Sequence, residues 1–305
     1  MLRLVGNRLL FILSVCLLIV FAVNLGMDMA SNSSVKEPSY DLVEFSIDAW
    51  TNTRAYIESA LDGDLGTINH EVLGPIPIWE LLKDTYIKSM GLLLVSLVIA
   101  TILGLSFGTF AALVKKQQIV LALLILTILG ISTPSFFAGL LLQQGEVKYF
   151  QATGEQLVKM AGFGWDIKHM LMPVLVLTAR PLAYLTRSSF LSLSQVMDEN
   201  YIRTAHSKGL RQRWVVYVHA LRNIAVPVLT AIGVSLRFSL STLPVVEFFF
   251  AWPGVGLRLL EAINARQTDV VVTLALALGL TFLLINLFLD IAYRLIDPRL
   301  REVEA

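Results

Sequence analysis

Residues 90–114 read MGLLLVSLVIATILGLSFGTFAALV, a run without a single charge. An α-helix rises 1.5 Å per residue, and a hydrocarbon core about 30 Å thick takes roughly 20 helical residues. This run is therefore long enough to cross a bilayer. Working outward, Leu9–Gly26, Ile119–Leu142 and Val270–Leu289 are also uncharged and meet or approach that length. Met170–Thr186 and Ile224–Val246 are interrupted by one charge each, Arg180 and Arg237. The pattern predicts an all-α polytopic membrane protein with six transmembrane helices.

Composition agrees. The chain is 56% hydrophobic and only 15% charged, where a soluble domain carries roughly a quarter charged residues. The formal net charge of +1 points to no partner by itself, and nucleic acid is not an expected one. Cys16 is the only cysteine and lies in an apolar run, so it reads as a buried, inert thiol. His70, His169, His206 and His219 are scattered over different elements. No metal-ligand spacing and no nucleophile–base set is visible, so the sequence implies neither a metal site nor catalytic residues.

Orientation follows from Lys and Arg in the connections. Arg3 and Arg8 precede the first run, and Lys115 and Lys116 separate the second from the third. Arg187, Arg203, Lys208, Arg211, Arg213 and Arg222 lie between the fourth and fifth, and Arg294, Arg299 and Arg301 follow the sixth. These regions alternate so as to share the cytoplasmic side. Segment 28–84 holds Lys36, Arg54 and Lys83 against eleven acidic residues, and reads as outside. Both termini are then cytoplasmic. The first run also has features of a cleaved signal peptide, but it is longer than a usual signal core and no small-x-small site follows Gly26.

The organisation expected is residues 1–27 as cytoplasmic N-terminus and first span, 28–84 as an extracytoplasmic segment, and 85–300 as the transmembrane core with a cytoplasmic loop at 188–222. Within 28–84, Leu42, Phe45, Ala49 and Trp50 suit an amphipathic helix over 41–61, broken by Asp62-Gly63-Asp64. Trp79-Glu80-Leu81-Leu82 suggests a short interfacial helix. Pro134 in the third span and Pro173 and Pro181 in the fourth are expected to kink their helices, either as packing geometry or as bent helices lining a pathway. Phe248-Phe249-Phe250-Ala251-Trp252-Pro253-Gly254 fits a membrane–water aromatic belt followed by a turn at Pro253, Gly254 and Gly256.

The loop from Asp198 to Pro227 is the most informative. Asp198 is a plausible N-cap, Tyr201, Ile202 and Ala205 fall on one helical face, and Gly209 sits where helices end. Pattern alone suits an interfacial helix on anionic lipid. The residues themselves, Tyr201-Ile202-Arg203-Thr204-Ala205-His206-Ser207-Lys208-Gly209, with His219-Ala220-Leu221-Arg222-Asn223 and Pro227, resemble the loop signature of ABC importer permeases, specifically of the dipeptide, oligopeptide and nickel uptake family. Gly63-Asp64-Leu65-Gly66, Trp252-Pro253-Gly254-Val255-Gly256 and Asp290-Ile291-Ala292-Tyr293-Arg294-Leu295-Ile296-Asp297-Pro298-Arg299 fit the same family in the same order.

That resemblance implies a type I importer permease of the bacterial cell membrane, passing peptides or similar small solutes inward. It makes Tyr201, Ile202, Arg203, Thr204, Ala205, Lys208 and Gly209 the coupling helix that docks on an ATPase, with Ala205 small enough for close approach. It implies as partners two ATPase subunits, a second related permease in a heterodimer, an extracytoplasmic solute-binding protein, and membrane lipid. The chain has no G-x-x-x-x-G-K-[ST] phosphate loop, so ATP and Mg are used by the partners and no cofactor is expected on the chain itself. Trp252, Pro253, Gly254 and Gly256 would form an extracytoplasmic loop.

Two departures stand out. The family's Pro-Gly-Asp-Pro-like element after the first span is absent at Met27-Asp28-Met29-Ala30, and Gln143-Gln144-Gly145-Glu146 is expected to cut the third span short. Arg180 and Arg237 stand where the family is mostly apolar or small. A charged residue at bilayer depth faces a cavity or partner, or snorkels to the surface. With Pro134, these two are candidates for the substrate pathway, favouring a solute with a carboxylate or other anionic group. The alternatives are an ATP-independent channel or carrier, and a degenerate permease-fold scaffold or sensor.

Overall fold

The computed structural model describes residues 2–32, 42–70, 74–114 and 116–296. Lys36, Lys115, Arg299, Arg301 and the Asp297-Pro298-Arg299 end of the last motif lie outside the described residues.

The long helices follow the apolar runs: α1 Leu2–Asn32, α2 Leu42–Leu61, α3 Ile78–Leu113, α4 Gln117–Ser132, α5 Ser135–Thr153 and α6 Ile167–Met197. Then come α7 Asn200–Ser207, α8 Gln212–Trp214, a π-helical turn Val215–Ala220, α9 Leu221–Asn223, α10 Ala225–Phe249, α11 Val255–Asn264 and α12 Thr268–Ile296. The all-helical expectation omits one antiparallel hairpin, β1 Thr67–His70 with β2 Gly74–Pro77, in register Ile68 opposite Ile76. Pro75 and Pro77 are tolerated because both strands of a two-stranded ribbon are edges.

Among the described residues, four helical segments are long and apolar enough to cross a membrane: Arg8–Ser31, Ile78–Leu113, Ala225–Phe249 and Thr268–Tyr293. The helices α4 and α5 meet the same test only as a pair, bent by 106°. The chain is thus a multi-pass membrane protein.

The bend at Pro134 is sharper than a kink and divides the third run into two helices. A proline disfavours the α conformation in the residue before it, and Thr133 (ψ 122°) and Pro134 (ψ 139°) are both extended. Two consecutive extended residues end one helix and start another. The polar stretch at 143–146 does not end α5 either. Gln143 donates to the Met160 carbonyl at 3.0 Å, and the buried Glu146 carboxylate accepts from the amides of Leu157 (2.8 Å) and Val158 (3.2 Å). These side chains belong to the fold of the following loop. Removing the carboxylate in Glu146→Ala leaves two amides without their acceptor, at about 2–3 kcal/mol. We expect hydrogen exchange to show Leu157 and Val158 losing protection; unchanged protection would contradict this role.

Three further readings are corrected. Trp79-Glu80-Leu81-Leu82 is not a separate helix but the first turn of the 36-residue α3. Asp198 has helical dihedrals (φ −85°, ψ −8°) and closes α6, whereas Glu199, extended at ψ 148°, is the N-cap of α7. An N-cap needs non-helical dihedrals, so the residue carrying them takes the position. Finally, the aromatic segment is not an exposed belt throughout. Phe248 is exposed, but Phe250 and Trp252 are buried. The Trp252 indole N–H donates to the Lys88 carbonyl at 3.2 Å. The chain turns at Phe250 and Ala251 and bends again at Gly254, whose amide bonds to the Trp252 carbonyl at 2.7 Å, while Gly256 lies inside α11.

The chain forms two compact units. One comprises Met1–Ser89 with Trp252–Phe288, the other Met90–Ala251 with Leu289–Ala305. In the first, Ile78, Val255, Ala262, Val270, Val271 and Leu274 make the core. The hydroxyls of Tyr56 and Tyr86 bond to those of Thr273 and Thr281, both at 2.9 Å. In the second, α6 is central and packs mainly on α10 and α4. Its N-terminus is capped by Asp166, which accepts from the amides of Lys168 and His169.

Glycines let helices approach α6 closely. A Cβ on Gly104 would lie 2.6 Å from that of Leu185, and one on Gly108 2.6 Å from both the Ser189 Cβ and the Thr186 carbonyl oxygen. This Gly104-x-x-x-Gly108 spacing is the small-residue arrangement that packs membrane helices backbone to backbone. On α4, Gly130 approaches Ala183 of α6 in the same way.

Candidate functional site

Two places in the second unit carry candidate residues. The first is α7 and its surroundings. Ile202 and Ala205 are buried and join Leu193, Val215, Ala220 and Ile224 in one apolar cluster. The small Ala205 therefore serves close packing of α7 on the chain's own helices. Arg203, Thr204, Ser207 and Lys208 are exposed on the other side. Neither Arg203 nor Lys208 belongs to an ion pair among the described residues.

The end of α7 follows from Gly209. It adopts φ +74°, the left-handed conformation that glycine takes without steric cost. Its amide bonds to the His206 carbonyl (2.9 Å) and the next amide, Leu210, to that of Ala205 (3.4 Å), the paired closing bonds of a Schellman motif. At the other end of the loop, the Asn223 side-chain amide donates to the Tyr201 hydroxyl (3.0 Å) and to the His219 carbonyl (2.7 Å). Tyr201 thus ties α7 to the turn that feeds α10. Segment 211–222 contains the π-helical turn Val215–Ala220; such turns are rare and recur at functional sites.

The second place is a cavity of about 380 Å³ in the second unit, where the α4–α5 break meets α6 and α10. Its walls are mostly apolar, and Arg180 is the one charged residue among them. Arg180 Nη2 donates to the Ile131 carbonyl at 3.3 Å, and the guanidinium carbon lies 5.7 Å from the centre of the Phe238 ring. The first contact is with a carbonyl that helix geometry leaves without an intrahelical partner at the end of α4, where positive charge is favoured. The second is a cation–π distance. Both hold the guanidinium among these helices, not extended towards Arg187.

Arg237, one residue before Phe238, is not part of the wall. Its Nε is buried without a hydrogen-bond partner among the described residues. Pro134 itself is exposed, but its neighbours Thr133 and Ser135 line the cavity. The cavity thus gathers Arg180 and the Pro134 break, and leaves Arg237 aside. Sequence reasoning did not single out Phe238, Ser239 or Thr242, all on this wall. Serines and threonines in an apolar run carry no directional signal until the helix face is known. Trp252, Pro253, Gly254 and Gly256 lie in the first unit, where Trp252 is fully buried and the Val255 amide donates to Ser89 Oγ at 2.8 Å.

Residues 104–302 match the family described as Binding-protein-dependent transport system inner membrane component. The dipeptide transport system permease protein DppB of Escherichia coli K12 is 31% identical over 288 residues, covering 86% of this chain and 84% of that protein. The glutathione transport system permease protein GsiC of Salmonella choleraesuis is 34% identical over 249 residues, covering 81% and 78%.

Proposed function

The chain belongs to the family of binding-protein-dependent transport inner membrane components and is a transmembrane permease of an ABC importer, and on that premise we propose that it carries peptides or similar small solutes inward. The relatives named for dipeptide and glutathione transport support that cargo class. In this proposal the chain sits in the bacterial cytoplasmic membrane, with six passes and both termini inside. It pairs with a second related permease, two ATPase subunits that bind ATP and Mg, and an extracytoplasmic solute-binding protein. The chain itself holds no cofactor.

One observation carries the mechanism: α7 is fastened to its own chain by Ile202 and Ala205 while Arg203, Thr204, Ser207 and Lys208 remain exposed. A helix that is apolar inward and cationic outward is built to be pushed. Carboxylates of an ATPase groove would pair with Arg203 and Lys208. Movement of that groove on ATP binding would pass through the cluster of Leu193 and Ile224 to α6 and α10. Packed helices respond as rigid bodies, so a shift at α7 becomes a tilt of the helices around the cavity.

Gly209→Val tests the lever at its end. A side chain at φ +74° costs about 1–2 kcal/mol, and it acts through the backbone alone, since nothing lies within 4 Å of the position. In vesicles holding the full complex, ATP hydrolysis stimulated by the loaded binding protein should fall several-fold while the complex still assembles. Transport that survives Gly209→Val and needs no ATP would instead favour a self-contained carrier.

A further inference from the structure

We propose that the cavity at the α4–α5 break is a subsite for a carboxylate attached to an apolar group, with Arg180 as the residue that recognises the charge. The identity of its owner, the C-terminal end of a peptide, rests on the cargo reading above.

Four observations converge on it. The lining contains Arg180 and no Asp or Glu, so its one formal charge has no opposite charge in the wall. Among the described residues the Arg180 side chain makes one hydrogen bond, to the Ile131 carbonyl, which leaves most of the five guanidinium N–H donors available there. Ser135, the first residue of the 19-residue α5, also lines the cavity, beside Ala138, whose own amide is bonded to the Pro134 carbonyl. The unpaired amides of a helix N-terminus favour an anion. Ser239 lies on the same wall, is 2% exposed, and its hydroxyl has no hydrogen-bond partner among the described residues. The remaining surface, with Leu126, Leu177 and Phe238, is mostly apolar, interrupted by Thr127, Thr133, Thr186 and Thr242. A volume of about 380 Å³ falls in the range of small-molecule pockets. Cation, helix N-terminus and idle hydroxyl call for a planar anion, and the apolar wall calls for a side chain beside it.

The test uses the full complex in phosphatidylcholine vesicles, with Cys16→Ala and Thr242→Cys in this chain so that its one thiol reports on the cavity wall. The probes are the dipeptide Ala-Phe and its C-terminal amide, and the readout is the rate of N-ethylmaleimide labelling at position 242. Ala-Phe is expected to slow labelling, and the amide to need roughly 10–100-fold more for the same protection, as for loss of a charge-assisted hydrogen bond. Arg180→Met should bring the two curves together, and Arg180→Lys should keep part of the difference. If Arg180→Met fails to assemble, Ser239→Ala, expected to weaken Ala-Phe protection several-fold, serves in its place. Equal protection by both peptides, or discrimination that survives these substitutions, overturns the proposal. So does labelling slowed by added phosphatidylglycerol and untouched by peptide, which would make the occupant a lipid. ATP-driven uptake of Ala-Phe is read separately. Protection without uptake would sink the cargo reading and leave the subsite; uptake without carboxylate discrimination would do the reverse.

Discussion

Gly108→Leu should leave almost no folded protein. Its Cβ would stand 2.6 Å from the Thr186 carbonyl oxygen and 2.6 Å from the Ser189 Cβ. The first of these is backbone and has no rotamer by which to move aside. The α3 and α6 helices would have to separate, opening the contact of Ala100 with Leu185 and Ala231. Overpacking in a close-packed core costs about 1–3 kcal/mol, and a clash with backbone belongs at or above the upper end. Against a total stability of about 5–15 kcal/mol, the yield of monodisperse protein on detergent size exclusion should drop about tenfold or more, with a lower melting temperature. Gly145→Leu is the control, because nothing lies within 4 Å of its Cβ position. Equal yields for both substitutions would show that the close approach of α3 to α6 is not what holds the second unit.

Ile202→Asp is expected to abolish uptake without preventing membrane insertion. Ile202 is fully buried against Leu193, Val215, Ala220 and Ile224. Its loss as packing volume costs about 2–5 kcal/mol, and a buried carboxylate without a partner adds to that. An eight-residue helix cannot stay docked at that cost, since isolated helices of this length are marginal in water. ATP-driven uptake should fall about 100-fold or more, with basal hydrolysis retained. Arg203→Ala makes the opposite cut. It removes an exposed charge, leaves the chain's own stability within about 0.5 kcal/mol, and should lower ATPase affinity. A chain with Ile202→Asp that still imports at the normal rate would mean that α7 transmits nothing.

The apolar runs were legible because the bilayer is an unforgiving solvent. A backbone without water must bond to itself, so long uncharged stretches become helices wherever they occur, as α1, α3, α10 and α12 do. The α7 helix was legible for a different reason. Gly209 and the spacing of Ile202 and Ala205 are local signals, and they hold in the structure. Its start was missed by one residue because Asp198 and Glu199 compete for one position, and the hand-over from α6 decides between them. The Gly104–Gly108 spacing was in plain view and could have been used to predict close helix contact, though not with which helix.

What stayed hidden depends on partners distant in the chain. Pro134 announced a bend, but whether it kinks one span or divides two helices by 106° depends on what Thr133 and the carbonyl of Ile131 find around them. Glu146 read as the end of a span and proved to be the acceptor for amides eleven and twelve residues on. Arg180 and Arg237 looked equivalent, one charge in each of two apolar runs. Only the packing of α6 against α4 and α10 put Arg180 on the cavity wall and left Arg237 behind it. The sequence by itself determined that the chain lives in a membrane, which runs become its helices, and where the α7 loop lies, because hydropathy, charge and glycine act locally. Which side of each helix meets another, and hence which arginine faces the cavity, was decided by tertiary structure, because a helix carries side chains on every face and only its neighbours select among them.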